Sequence, residues 1–274
     1  MTGPGVREIA LLTLGYADLP KSVSVYGAAE SERLVEPVPG VLLRCDGGWL
    51  LLDTGFNVSL INDPALRRRF YPDPHVRPIL RGAGEPLAEA LDAVGLDIGD
   101  VSAMAVSHLH LDHAGGLKHF AGRVPVHAQR AELEFGMSAP HPLAERNGIF
   151  RVDFDDPRID WRIADGDSVI APGVTAVLTA GHTPGHQSFV VDIDDAAGGG
   201  GFVFAFDAAD LTENIEHELP IGTTVDVHPS ATVEPIRRLR QIAAERGYRL
   251  VPGHDPFAWP RLTQELAARW PNRP

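Results

Sequence analysis

Cysteine is almost missing from this 274-residue chain: Cys45 stands alone, so no internal disulfide can form. It falls in an apolar, strand-like run, where a thiol is expected to be buried and inert, and a reducing compartment fits best. Lysine is nearly as scarce. Lys21 and Lys118 are the only two, and the remaining basic charge is arginine, a bias read as genome composition before function. Acid outweighs base, giving a formal net charge of −13 at pH 7. A nucleic-acid backbone or an anionic membrane would repel such a chain, which argues against both as partners. Long hydrophobic runs are missing too. The apolar stretch 9–14 follows Arg7 and Glu8; it is poor as a signal peptide and too short to span a membrane, so it reads as a first strand in a soluble, cytoplasmic protein. No Pro/Gly/Ser-rich linker and no short repeat interrupts the sequence, so residues 1–274 are expected to form a single domain. Gly198 to Gly201 are followed by neither a helix nor a Lys-Ser/Thr pair, which rules against a phosphate loop and leaves a flexible hairpin turn.

What is present is a series of short apolar strands, each stopping at turn residues, in a chain whose 44% hydrophobic content suffices for a full core. Val41 to Cys45 and Trp49 to Asp53 read as a hairpin about Asp46-Gly47-Gly48. Residues 56–84 are irregular and proline-rich, a lid candidate. Residues 85–94 show helical spacing, closed by Gly95. Further strands are expected at 124–128, 174–179, 187–192, 201–206 and 248–252, and helices from Arg130, from a Ser230 cap to about Arg246, and over 261–270. Residues 136–160 read as irregular. Phe56, Phe70, Tyr71, Phe135, Met137 and Phe150 are candidate pocket walls, with ordinary core packing an equal account. Strands and helices mix without strict alternation, which indicates an α/β class.

The chain is organised around Ser107-His108-Leu109-His110-Leu111-Asp112-His113-Ala114-Gly115-Gly116, directly after the apolar run 101–106. On an extended chain His108 and His110 point the same way and can share one ion, while Asp112 and His113 follow at the turn and can reach a second. Two ions need more ligands. His182, Asp207 and His254 each repeat one arrangement, an apolar strand with a ligand-type residue at its carboxyl end. His186, between Gly185 and Gln187, reads first as a structural residue of its turn.

This ordered set, His108-x-His110-x-Asp112-His113, then His182, Asp207 and His254, resembles the metal ligands of the metallo-β-lactamase superfamily. The resemblance implies an αββα sandwich with mixed sheets, helices on the outer faces and the metals at one edge. It implies that His108, His110 and His182 hold one ion, that Asp112, His113 and His254 hold the other, and that Asp207 bridges them. Asp53, in Leu51-Leu52-Asp53-Thr54-Gly55, matches an acidic position that orients these ligands. Two divalent ions are implied; zinc suits the His/Asp set, and manganese, cobalt and iron accept it. Within the superfamily, the 107–116 segment, His182 to Ser188 and Asp207 to Glu216 are similar to the quorum-quenching N-acyl-homoserine lactonases. The implied reaction opens a lactone by attack of a metal-bridging hydroxide, with Asp112 passing a proton to the leaving group. Position 210 departs from that pattern. The lactonases usually carry a tyrosine there, contacting the substrate carbonyl; an ionised Asp210 cannot donate that hydrogen bond, so Asp210 stands beside Asp112 as a candidate catalytic residue that could redirect the substrate.

Other readings of the same motif are a hydrolase of another ester or thioester, a β-lactamase, an RNA-processing enzyme, an iron redox enzyme and a non-catalytic metal-binding module. A glyoxalase II-like thioesterase would need a cationic site for its anionic thiol, and no Lys/Arg motif supplies one. Secreted zinc β-lactamases often have cysteine where Asp207 stands, RNA conflicts with the net charge, the redox enzymes need a flavodoxin-like domain for which there is no room, and a non-catalytic module predicts lost ligands. The expected partner is a small-molecule ester or lactone, and these residues set neither the acyl group nor the oligomeric state.

Overall fold

A computed structural model describes residues 5–82, 84–138 and 141–270, apart from the side chains of His141 and Pro142. Two long strands, β1 (Glu8–Pro20) and β2 (Arg33–Cys45), pair antiparallel with Ile9 opposite Leu43 and Leu11 opposite Val41. The turn at Asp46-Gly47 returns the chain as β3 (Gly48–Leu52), as the hairpin pattern predicts. β4 (Arg77–Ile79), β5 (Val101–Ala105), β6 (Pro125–Gln129) and β7 (Asp160–Ala164) complete a seven-stranded sheet in the order β4-β1-β2-β3-β5-β6-β7, parallel from β3 onward. The second sheet has five strands, β8 (Ser168–Ala171), β9 (Val174–Leu178), β10 (Gln187–Asp192), β11 (Gly201–Phe204) and β12 (Arg249–Val251), in the order β12-β11-β10-β9-β8. Only β11 and β12 run parallel within it.

Apolar residues on both faces of the central strands explain the layering. Ile9, Leu11, Val41, Leu43, Leu50 and Leu52 face Ala176, Phe189, Val191 and Phe204 in a core shared by the two sheets. The opposite face of the larger sheet, with Ala10, Leu42, Leu51 and Met104, is covered by helix Pro86–Asp92 through Leu87 and Leu91. The opposite face of the smaller sheet, with Val177, Val190 and Val203, is covered by helix Val233–Arg246 through Ile236, Leu239 and Ala243. Strands buried on both faces read as continuous apolar runs, and the result is the expected mixed α/β sandwich with outer helices. Cys45 is 4% exposed, and burial pushes its thiol up to about 11, in keeping with an inert role.

Three local expectations are corrected. The stretch read as irregular carries regular structure: Asn57 and Asp63 accept backbone N–H bonds at the starts of helices Val58–Asn62 and Pro64–Phe70, and β4 pairs with β1. Short helices His141–Arg146 and Arg151–Phe154 occupy the segment read as irregular. Ser230 does not cap the long helix. A 3₁₀ turn, Pro229–Thr232, precedes it, and His228 Nδ1 accepts from Ser230 N there. Gly198, Gly199 and Gly200, all at positive φ, form the turn between β10 and β11. No helix among the described residues is long and apolar enough to cross a membrane.

Candidate metal centre

The carboxyl ends of β3, β5, β9, β11 and β12 meet at one edge of the sandwich, and each releases one of the expected residues: Asp53, then His108 to His113, His182, Asp207 and His254. Strand ends hold these side chains rigidly because the strands are fixed from both faces. The backbone turns sharply to deliver two of them: Asp53 itself sits at φ 61° and Phe206, just before Asp207, at φ 48°. Such left-handed positions are costly for non-glycine residues and cluster at functional sites.

Two sets of side chains form. His182 Nε2 lies 3.2 Å from His108 Nε2 and 2.7 Å from His110 Nδ1. One ligand atom each of His108, His110, His182 and Asp207 fall within 4.8 Å of one another, as do those of Asp112, His113 and His254. Asp207 spans both sets. Its Oδ2 is 3.3 Å from His182 Nε2 and 3.7 Å from His108 Nε2, while its Oδ1 is 3.0 Å from His254 Nε2 and 3.3 Å from His113 Nε2. Asp112 Oδ2 stands 3.5 Å from His113 Nε2, and its side chain is 19% exposed, against 8% or less for the other six.

The neighbours fix the imidazole tautomers. His182 Nδ1 donates to Thr223 O at 2.8 Å and His254 Nδ1 to Pro37 O at 3.0 Å. His113 Nδ1 donates to Asp53 Oδ2 at 2.7 Å; Ser107 Oγ gives its own proton to the same carboxylate at 2.6 Å and so accepts from His108 Nδ1 at 2.9 Å. In all four rings the Nε2 lone pair therefore faces the other ligands. His113 Nε2 and His110 Nε2 are buried without a hydrogen-bond partner.

Electrostatics separate the two sets. Burial, then neighbouring imidazoles, keep His108 and His110 well below the usual histidine range, neutral and able to ligate. Burial opposes charge on His113 and His254 most strongly, but the surrounding carboxylates, Asp207 first and Asp112 with it, together overcome it, raising His113 well above the usual range and His254 to about 10. Those two protons occupy lone pairs that point at Asp207, where a cation would compensate the same carboxylate. Three imidazoles kept neutral, two more whose protons a cation would replace, and the buried acids beside them make a donor set that fits divalent ions.

Supporting residues complete the picture. Asp53 also accepts from Ser107 N at 2.6 Å. His186, read first as a residue of its own turn, reaches the centre as well: its Nε2 accepts from Asp207 N at 3.1 Å, and burial drives it down to about 3, so it stays neutral. Glu132, at the start of helix Arg130–Ser138, was not anticipated from the sequence, where nothing distinguishes it from a surface acid. It is 1% exposed and accepts from Leu109 N (2.9 Å), Thr183 Oγ1 (2.7 Å) and Gly185 N (2.9 Å), tying the His108/His110 loop to the His182 loop. Gly185 is required at this contact, because a Cβ there would lie 2.2 Å from Glu132 N.

Glu36 was also missed, although an acid in the apolar run Val35-Glu36-Pro37-Val38 is a usable sign. It accepts from Ser24 Oγ at 2.7 Å, and burial pushes its carboxyl to about 7 against the opposing pull of His254. Asp210 is 5% exposed and is driven well above the carboxylate range by burial and then by Asp207. Of the candidate pocket walls, Tyr71 meets Phe56 and Phe150 edge to face, and Phe70 meets Phe150. Phe56 belongs to the core beneath the larger sheet, and Tyr71, Phe135 and Met137 pack against that core.

Residues 34–254 match the family model described as Metallo-beta-lactamase superfamily. The chain is 34% identical over 233 residues to N-acyl homoserine lactonase AttM of Azorhizobium caulinodans, covering 82% of this chain and 84% of the relative. It is 29% identical over 251 residues to N-acyl homoserine lactonase AiiA of Bacillus thuringiensis subsp. kurstaki, covering 91% and 94%. A solved N-acyl homoserine lactone hydrolase, with the product N-hexanoyl-L-homoserine bound at its catalytic metal center, superposes with a TM-score of 0.79 at 26% identity over 92% of this chain and 94% of that one.

Proposed function

The chain belongs to the metallo-beta-lactamase superfamily, and on that premise we propose that it is a binuclear metal-dependent hydrolase that opens N-acyl-homoserine lactones. The observation that carries this reading is Asp207, whose two oxygens face two separate ligand sets. His108, His110 and His182 would hold one ion, Asp112, His113 and His254 the other, and Asp207 both. Bound divalent ions would supply Lewis acidity toward the lactone carbonyl and water whose pKa is lowered to near neutrality. Zinc is the proposed metal, supported by the three imidazoles of the first set.

The chain's own groups then have distinct tasks. Asp112 is the most exposed acid of the seven, placed to carry a proton to the departing alkoxide oxygen as the ring opens. Asp53 and Glu132 hold the ligand loops in register. The half-buried Phe70 and Tyr71, backed by the buried Phe56 and Phe150, are proposed as the apolar wall for an acyl chain. The whole chain is read as one domain; the lone, unpaired Cys45 supports a cytoplasmic location, and the similarity to N-acyl homoserine lactonases supports a quorum-quenching role on a small-molecule partner.

The test is hydrolysis of a panel of N-acyl-homoserine lactones, other lactones, aryl esters and thioesters by metal-loaded protein, followed by pH-stat and mass spectrometry, with Asp210→Tyr run in parallel. Preferred opening of acyl-homoserine lactones by the wild type is expected. Preference for an ester or thioester, with lactone opening gained only in Asp210→Tyr, would assign the same metal chemistry to a different substrate.

A further inference from the structure

Asp210 Oδ1 is buried and has no hydrogen-bond partner. An acceptor left so is expensive, because burial strips its water without replacing it. One ligand atom each of Asp207, Asp210 and His254 fall within 4.8 Å of one another, a group that shares His254 with Asp112 and His113. Two donors on one ion stand up to about 4.4 Å apart, since such bonds are about 2.0–2.2 Å long, so this spacing is on the scale of a single ion's ligand shell.

We propose that Asp210 is a further ligand of the ion held by Asp112, His113 and His254, and that it makes this position less selective for zinc than the His108/His110/His182 position. The inference rests on the binuclear reading and deepens it. With Asp210 included, the second set offers two imidazoles and three carboxylates, Asp112, Asp207 and Asp210, whereas the first offers three imidazoles and Asp207 alone. Imidazole favours zinc, and carboxylate oxygen suits harder ions such as Mn²⁺. The zinc-over-manganese preference therefore narrows at the second position.

The protein, freed of metal with a chelator, is given one equivalent of Zn²⁺ and then titrated with Mn²⁺, with free Mn²⁺ followed by electron paramagnetic resonance. Asp210→Asn, which keeps the size and removes the anionic oxygen, is expected to weaken Mn²⁺ binding by at least about tenfold and to leave the first equivalent of Zn²⁺ as tightly held as in the wild type. A change below twofold overturns the Asp210 assignment while leaving two bound ions and the hydrolase reading intact; absence of a second ion in the wild type overturns both. A wild-type Co²⁺ titration guards against a variant that fails to fold. A strongly absorbing first equivalent followed by a weakly absorbing, higher-coordinate second equivalent supports the inference, and two equally intense equivalents oppose it.

Discussion

His108, His110 and His182 meet as imidazoles, two of them held well below the usual histidine range, and are braced from behind by Glu132. Asp112, His113 and His254 meet amid carboxylates, with two imidazoles raised, and are braced by Asp53. One half is closed; the other holds the most exposed acid of the centre. The difference separates holding from reacting: a neutral, enclosed imidazole set anchors an ion, and the acidic, partly open set is where protons enter and leave. Glu132 braces the closed half alone, whereas Asp53 holds His113 directly and reaches His108 through Ser107, so only the Glu132 brace belongs to one half.

Removing the exposed acid strains this comparison most. Asp112→Asn is expected to lower kcat by about 10²–10⁴-fold, the span of a general acid's contribution, while metal analysis still finds the imidazole half filled. Full turnover in this variant would remove Asp112 from the proton path. Next comes the brace of the closed half. Glu132→Gln turns an amide toward donors that need an acceptor, and about 10–100-fold weaker binding of the zinc-preferring ion is expected, read by competition with a chromophoric chelator. Asp53→Asn, which loosens His113 directly and His108 through Ser107, should weaken both ions, the one held by His113 more; equal weakening of both ions by Glu132→Gln would show that the halves are not separable.

Smaller effects sharpen the picture further. Gly185→Ala places a Cβ against Glu132 N, at 2.2 Å before relaxation, and a loss of about 1–3 kcal/mol is expected in denaturant unfolding, as for other overpacked sites. Asp153 supplies a control outside both halves. It is 4% exposed, accepts from Asn57 Nδ2 at 2.6 Å, and burial raises it from 3.8 to about 6. The folded protein thus holds this proton more tightly than the unfolded chain, so the group's contribution is fully present below about pH 4 and is lost as pH rises through 6. Asp153→Asn should stabilise the protein by roughly 1–3 kcal/mol at pH 7.5 and by nothing at pH 4; unfolding curves with the same offset at both pH values would contradict this.

Much of the centre was legible because its residues end apolar strands, and periodicity reports strands well. His108 to His113, His182, Asp207 and His254 all follow such runs, and the layered α/β fold follows from strands apolar on both faces. The braces were not legible. Glu132 reaches two loops, one 23 and the other more than 50 residues away, and no local pattern encodes a partner at that distance. The prolines of 56–82 suggested a loose segment, yet Pro64 sits in the first turn of a helix capped by Asp63, where its missing N–H has no cost. Ser230 looked like a cap, but an intervening 3₁₀ turn shifts the helix start to Val233. Such competition between local capping groups is decided by tertiary contacts that composition does not show.

The hydrogen bond from His254 to Pro37 and the one from His113 to Asp53 draw together chain segments 217 and 60 residues apart. Ions seated between these segments would act as clasps on very long loops, in a chain whose single cysteine can form no covalent one. Ligation would then confer resistance to proteases as well as chemistry. An ion present at about a thousand times its dissociation constant adds roughly 4 kcal/mol to the folded state, so withdrawal of metal by a competing chelator in the cell would mark this protein for turnover before it merely idled it.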